Sequence, residues 1–253
     1  MALLEIRDVR QEFGGLRALS SVNLSIAPHE IVGLIGPNGA GKTTLFNLIT
    51  GVYCPTDGMI SFQGHRIDGH RTSQLANRGI ARTFQNIRLF RDLTVFDNVR
   101  IAGHIHAGYG AVAAWLQLPR WRRGEDRLRE KTLALLDRFG LTQVADEQAS
   151  SLPYGDQRRL ELARALATDP RLLLLDEPAA GMNPVEKQAL MAQILSLRED
   201  FGLTILIIEH DMRVVMGICE RILVLDHGEP IACGTPEAVR SDPAVIQAYL
   251  GEA

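Results

Sequence analysis

The sequence predicts an α/β fold. A mostly parallel sheet forms the core, an antiparallel β subdomain lies at the N-terminal end, and an α-helical subdomain is inserted into the core. Three observations predict this. The first 35 residues read as strands, a block from about Leu89 to Leu166 has helical periodicity, and beyond it short apolar runs alternate with helical stretches.

The early strands justify the first part. Leu4, Ile6 and Val9 alternate loosely with charged neighbours, and Val22-Asn23-Leu24-Ser25-Ile26 alternates cleanly, as a half-buried antiparallel strand does. Pro28-His29-Glu30 makes a turn. Ile31-Val32-Gly33-Leu34-Ile35 is apolar without alternation, which suits a parallel strand covered on both faces. A glycine-rich turn and a helix from about Lys42 to Ile49 follow, with Gly51 as its stop. Residues 59–82 read as short strands plus a helix.

In the helical block, Leu128, Thr132, Leu135, Leu136 and Phe139 share one helix face, and Gly140 ends that helix. A further helix carries Leu160, Ala163, Leu166 and Ala167. The βα alternation then returns, with strands at 172–175, 204–208 and 222–225 and helices at about 184–200 and 211–219. A helical tail runs from Pro236 to Leu250, broken near Pro243. The core is thus expected over about 1–87 and 160–253, and the helical subdomain over about 88–159, within one domain.

Composition narrows the function. A chain of 253 residues with 46% apolar and 23% charged residues is not disordered. With 27 Lys and Arg against 30 Asp and Glu, it lacks the basic excess of a general nucleic-acid binder, so any anion site is local. The three cysteines, Cys54, Cys219 and Cys233, have no metal-like spacing and suit a reducing, cytosolic setting. Leu172–Leu175 and Thr204–Ile208 are the longest strongly apolar runs, far short of the roughly 20 residues that span a bilayer. The N-terminus has no basic region followed by an apolar one, so no signal peptide is expected.

Gly36-Pro37-Asn38-Gly39-Ala40-Gly41-Lys42-Thr43 matches the phosphate-binding pattern G-x-x-x-x-G-K-[ST], between a buried strand and a helix. Glycines let the backbone wrap closely enough to turn several N–H groups toward phosphate oxygens. The helix that starts near Lys42, followed by Thr43 and Thr44, aims its positive end at the same anion. Lys42 reaches the β and γ phosphates, and the Thr43 hydroxyl can ligate Mg²⁺. Leu172-Leu173-Leu174-Leu175-Asp176-Glu177 then places two carboxylates at the C-terminal end of a buried strand, where parallel sheets bind ligands. Asp176 can hold Mg²⁺, and Glu177 can polarise a water as general base. Without the glycine loop, these two would read as an ordinary charged strand end. Gln85 and His210 also follow strands, and spacing alone leaves their roles undecided.

In this order of motifs the sequence resembles the ATP-binding cassette family over nearly its whole length. The resemblance is strongest to the ATP-binding components of branched-chain amino acid importers. It is carried by Phe13-Gly14-Gly15-Leu16, by Ala81-Arg82-Thr83-Phe84-Gln85-Asn86, by Glu177-Pro178-Ala179-Ala180-Gly181-Met182-Asn183-Pro184, by Gly234-Thr235-Pro236 and by Ala248-Tyr249-Leu250-Gly251. It implies a P-loop NTPase (RecA-like) core that binds ATP and Mg²⁺. Phe13 would stack on adenine, Gln85 would touch the metal or its water, and His210 would contact the γ-phosphate. Asn183 stands where the family usually has Asp in a dimer-contacting loop.

The signature segment departs most. Leu152-Pro153-Tyr154-Gly155-Asp156 replaces the family's Leu-Ser-Gly-Gly-Gln. Pro153 lacks the hydroxyl and N–H of Ser, and Asp156 brings negative charge toward an anion site unless it points away. Read locally, Asp156 is the capping residue of a helix that starts near Gln157.

The resemblance implies a head-to-tail pair of cassettes with ATP between the glycine loop of one and the signature segment of the other. It implies as partners a second ATPase subunit, sister or identical, and two transmembrane permease subunits, with a periplasmic or extracellular solute-binding protein acting indirectly and no nucleic acid. The expected place is the cytoplasmic face of the cell membrane. The alternatives are the ATPase of an importer for urea or short amides, or a soluble, non-transport cassette ATPase. Soluble cassette proteins of DNA repair or translation resemble tandem cassettes or carry long coiled-coil inserts, and this sequence has neither. A pure nucleotide sensor would need neither Glu177 nor His210. The stretch Gly103 to Gly124 reads as irregular, and residues 115–123 within it, with Trp115, Trp121, Arg120, Arg122 and Arg123, read either as a surface close to the membrane partner or to anionic lipid headgroups or, slightly favoured, as a solvated loop with one packed aromatic.

Overall fold

A computed structural model describes residues 2–250. The chain divides into two compact units. One comprises the residues up to Leu75 and from Arg171 on, and the other comprises Ala76–Pro170.

The first unit holds two sheets. β1 (Leu4–Phe13), β2 (Leu16–Ile26), β4 (Asp57–Phe62) and β5 (His65–Arg66) form an antiparallel sheet in the order β2-β1-β4-β5. Its register pairs Leu4 with Ile26 and Phe62, and Ile6 with Leu24 and Ile60, which stacks the buried residues on one face. The loose alternation of β1 has a cause. The register slips after Ile6, and Asp8 adopts φ 48°, as at a bulge.

The second sheet runs β10-β9-β3-β8-β7, with β3 (Ile31–Ile35), β7 (Leu172–Asp176), β8 (Thr204–Ile208) and β9 (Arg221–Asp226) parallel. Every residue of β3, β7 and β8 is buried, as their unbroken apolar runs require. β10 (Glu229–Gly234) is antiparallel and was not expected from the sequence. It returns through a two-residue turn, His227 (φ 45°) and Gly228 (φ 83°), whose twist matches that of a hairpin.

α1 (Lys42–Ile49) follows β3, and Gly51 stops it at φ 71°. α7 (Pro184–Phe201) precedes β8 and α8 (Met212–Ile218) follows it, and the tail forms α9 (Pro236–Arg240) and α10 (Pro243–Leu250). α2 (Thr72–Asn77) sits at the boundary between the units.

The second unit begins with β6 (Ile80–Arg82) and is otherwise helical: α3 (Val95–Gly103), α4 (Ala111–Trp115), α5 (Pro119–Arg138) and α6 (Tyr154–Leu166). Thr94 caps α3 by accepting the Asp97 N–H at 3.0 Å. α5 starts with proline at its first position and ends before Gly140, at φ 66°. Its buried residues include Leu128, Thr132, Leu135 and Leu136, the face that the periodicity marks. α3 packs on α5 and α6, and a methyl added at Gly103 would lie 2.5 Å from Leu128 Cδ1, so the helices meet where no side chain fits.

Two expectations are corrected here. The stretch 103–124 is not an irregular loop: it contains α4, and Arg120, Trp121, Arg122 and Arg123 open α5. α6 begins at Tyr154 rather than near Gln157, with Pro153 as its N-cap, so Asp156 lies inside the first turn and caps nothing.

Candidate nucleotide site

The parallel strands place the chemistry. β3 runs into the glycine loop, β7 ends at Asp176, and β8 ends just before Glu209 and His210, so all three deliver polar residues at their C-terminal ends. Asp176 pairs in register with Ile208, and the Glu177 N–H donates to the Ile208 carbonyl at 2.9 Å. The turns after β7 and β8 therefore emerge side by side.

The loop itself is shaped by close approach. At Gly36 an added methyl would stand 2.0 Å from the Leu225 carbonyl oxygen. At Gly41, the left-handed N-cap of α1, it would stand 2.6 Å from Leu19 Cδ2 and 2.7 Å from the Ala18 oxygen. Gly39 is needed only for its φ of 80°, since the space beside it is open. Lys42 is only 6% exposed, and its Nζ donates to the carbonyls of Gly36 (2.6 Å) and Pro37 (2.7 Å). The cation is thereby held inside the loop. The first turn of α1 carries no acidic residue, so nothing there offsets its positive end.

A cleft of about 440 Å³ is lined by Asn38, Gly39, Ala40, Gly41, Lys42, Thr43 and Thr44 together with Glu177, His210 and His227. Leu16, Arg17 and Ala18 at the start of β2 complete it. His210 Nε2 lies 2.6 Å from Glu177 Oε1. An ionised carboxylate only accepts, so the imidazole nitrogen donates. Glu177 holds a left-handed backbone, φ 48°, which costs about 1–3 kcal/mol at a non-glycine residue. The bonds to Ile208 and His210 hold it there. Phe13 is outside this lining: its half-exposed ring meets Tyr53 edge-on, centroids 5.1 Å apart.

Glu209 is a site residue that the sequence did not single out. It is buried, and its carboxylate accepts the Ala179 N–H at 2.6 Å and the His210 N–H at 3.2 Å. One side chain thus links the turn that carries Glu177 to the turn that carries His210. Burial pushes its carboxyl above the ordinary range, and the N–H donors oppose this. Its partners are backbone groups, which leave no trace in a sequence pattern.

Asn183 acts as a helix cap. Its side chain accepts the N–H groups of Val185 and Glu186, and Glu186 returns a bond to the Asn183 N–H, forming a capping box at the start of α7. An amide serves there as well as a carboxylate would.

In the second unit, Gln85 follows β6, and its carbonyl accepts from Arg158 at 2.6 Å. Arg158 also donates to the Phe84 carbonyl and pairs with Glu161, which accepts the Phe84 N–H. Arg158 and Glu161 are both buried in α6, so this pair fastens the Gln85 segment to the helix that begins at Tyr154. Tyr154 is half exposed, with its hydroxyl bonded to Arg158 Nε at 3.2 Å. A methyl at Gly155 would meet nothing within 4 Å. Asp156 pairs with Arg159, one turn along the helix, which offsets its charge.

Among the described residues no group of three or more His, Cys, Asp or Glu is arranged to hold an ion. One hydroxyl and one carboxylate, Thr43 and Asp176, fit Mg²⁺ that keeps phosphate oxygens and waters as its other ligands.

A model of the ABC transporter family matches residues 19–180, and a model described as a branched-chain amino acid ATP-binding cassette transporter matches 229–253. The chain is 49% identical to the high-affinity branched-chain amino acid transport ATP-binding protein LivG of Escherichia coli (strain K12), over 99% of this chain and 98% of LivG. It is 47% identical, with the same coverage, to the corresponding protein BraF of Pseudomonas aeruginosa. Among solved structures, the ADP conformation of MJ1267, an ATP-binding cassette of an ABC transporter, superposes with a TM-score of 0.85 at 32% identity, covering 99% of both chains. The P-loop NTPase core, the family matches and the whole-length identity lead to one conclusion: this chain belongs to the ABC transporter family, as one of the ATP-binding subunits that hydrolyse ATP to power transport.

Proposed function

We propose that the chain is the energy-coupling ATPase of an importer for branched-chain amino acids, working with a second ATPase subunit and two transmembrane permease subunits at the cytoplasmic face of the cell membrane. A solute-binding protein would feed the permease from the other side. The observation that carries this reading is the 49% identity to LivG along essentially the whole chain, supported by the family match at 229–253.

In this reading the loop N–H groups from Gly36, Pro37, Asn38, Gly39, Ala40 and Gly41 and the start of α1 cradle the phosphates of ATP. Lys42 exchanges its two loop carbonyls for β and γ oxygens. Thr43 and Asp176 would hold Mg²⁺, which would supply charge neutralisation at the phosphates. Glu177 takes the proton of the attacking water, and His210 orients that carboxylate and faces the γ-phosphate. Phe13, with Tyr53 beside it, stacks on the adenine. Tyr154, Gly155 and the start of α6 serve the phosphate of a partner cassette, and the Asp156–Arg159 pair lessens the repulsion that a bare carboxylate would bring.

The test is reconstitution into vesicles with the membrane proteins that co-purify in mild detergent. ATP-dependent uptake of leucine, isoleucine or valine is expected. Uptake of urea or short amides in their place, or the absence of any membrane subunit, would overturn the assignment.

A further inference from the structure

Residues 107–124 lie within the helical unit and run from the end of α3 through α4 into the first turns of α5. They contain no Asp or Glu, three arginines (Arg120, Arg122 and Arg123) and both tryptophans of the chain. The stretch is built, not loose. Tyr109 packs over Gly124, where an added methyl would lie 2.6 Å from the ring. Its hydroxyl donates to Glu125, and burial together with that carboxylate pushes the phenol up to about 12. Arg120 Nε donates to the Gly108 carbonyl at 2.8 Å, closing the base.

What this frame presents outward is apolar and cationic. Val112 and Trp115 are 70% and 83% exposed and stand at i and i+3 on one face of α4, and the exposed Leu116 is its C-cap. Leu118 is also exposed. Arg122 and Arg123 follow, exposed and without an ion pair among the described residues. The nearest carboxylate in sequence, Glu125, is engaged by Arg100 and Tyr109. The next is Asp126, the following residue, four positions from Arg122 and three from Arg123 along α5, and no ion pair joins it to either among the described residues.

An exposed indole with aliphatic neighbours suits the boundary between headgroups and acyl chains, and guanidinium groups beside it suit anionic headgroups. In a chain whose net charge is −3, this is an acid-free cationic stretch joined to an uncovered apolar face. We propose that residues 111–123 form a docking element for an anionic bilayer surface, with Val112, Trp115, Leu116 and Leu118 entering the headgroup boundary and Arg122 and Arg123 pairing with lipid phosphates.

Because both tryptophans lie in this stretch, intrinsic emission reports on it alone. The full chain is mixed with vesicles of phosphatidylcholine plus phosphatidylglycerol, and with vesicles of phosphatidylcholine only. Co-sedimentation and a blue shift are expected with the anionic vesicles and not with the neutral ones, and both weaken as salt is raised. At about fivefold per cation, the double variant R122Q/R123Q binds about twenty-fivefold more weakly. Trp115→Glu loses the blue shift. Both variants keep wild-type ATP hydrolysis, which shows that they fold. Absence of a shift with anionic vesicles overturns the proposal. So does unchanged binding in R122Q/R123Q, or a shift that appears only when co-purifying membrane proteins are present, which would make the patch a protein-docking surface.

Discussion

At the scale of single residues, Lys42 and Glu209 have different tasks in the candidate site. Lys42 is buried with its charge against two loop carbonyls, so its partners are acceptors either in the loop or on a phosphate. Lys42→Ala is expected to abolish productive ATP binding, read by equilibrium dialysis with labelled nucleotide. Glu209 has no such exchange to make. Glu209→Ala leaves the Ala179 and His210 N–H groups without their acceptor and is expected to cost about 1–3 kcal/mol in chemical denaturation. In the same variant the turnover rate falls while the KM for ATP stays near wild type, because the loop that binds phosphate is untouched. Glu209→Gln keeps one acceptor oxygen and recovers part of that turnover. Lys42, Thr43, Asp176 and Glu177 were legible in the sequence because their motif fixes spacing along the chain. Glu209 was not, because its partner at Ala179 is 30 residues away and is a backbone group.

At the scale of elements, the glycine loop makes the sharpest contrast. Gly36 and Gly41 are pressed against the Leu225 and Ala18 carbonyls, whereas Gly39 faces open space. Gly41→Ala is therefore expected to add a steric clash to the left-handed cost of about 1–2 kcal/mol, and Gly39→Ala to carry that cost alone. Thermal unfolding of the two variants checks the order, with Gly41→Ala the less stable. The parallel strands were readable from their unbroken apolar runs, and α5 from its periodic face. β10 was not, because Glu229-Pro230-Ile231-Ala232-Cys233-Gly234 has no clean alternation and His227-Gly228 lacks the Asn-Gly or Asp-Gly of the commonest hairpin turn. The start of α6 was misplaced for a related reason. Asp156 has the chemistry of a cap, but the helix already begins at Tyr154, and the carboxylate turns to Arg159 instead.

At the scale of the whole molecule, the chain pairs a unit that carries the glycine loop, Asp176, Glu177 and His210 with a unit that carries Gln85 and the Tyr154 segment. No helix among the described residues is long and apolar enough to cross a membrane. The nucleotide acts as a switch when the bound and hydrolysed states differ in their affinity for the partner surface. In the proposed mechanism hydrolysis depends on Glu177, in the strained turn beside His210. The most direct measurement is inorganic phosphate release from MgATP by the wild-type chain and by Glu177→Gln, each with its co-purifying partners. The account predicts steady release from the wild type, a fall of about 10²–10⁴-fold in Glu177→Gln, and retained ATP binding by the variant. Near-normal phosphate release by Glu177→Gln would contradict it.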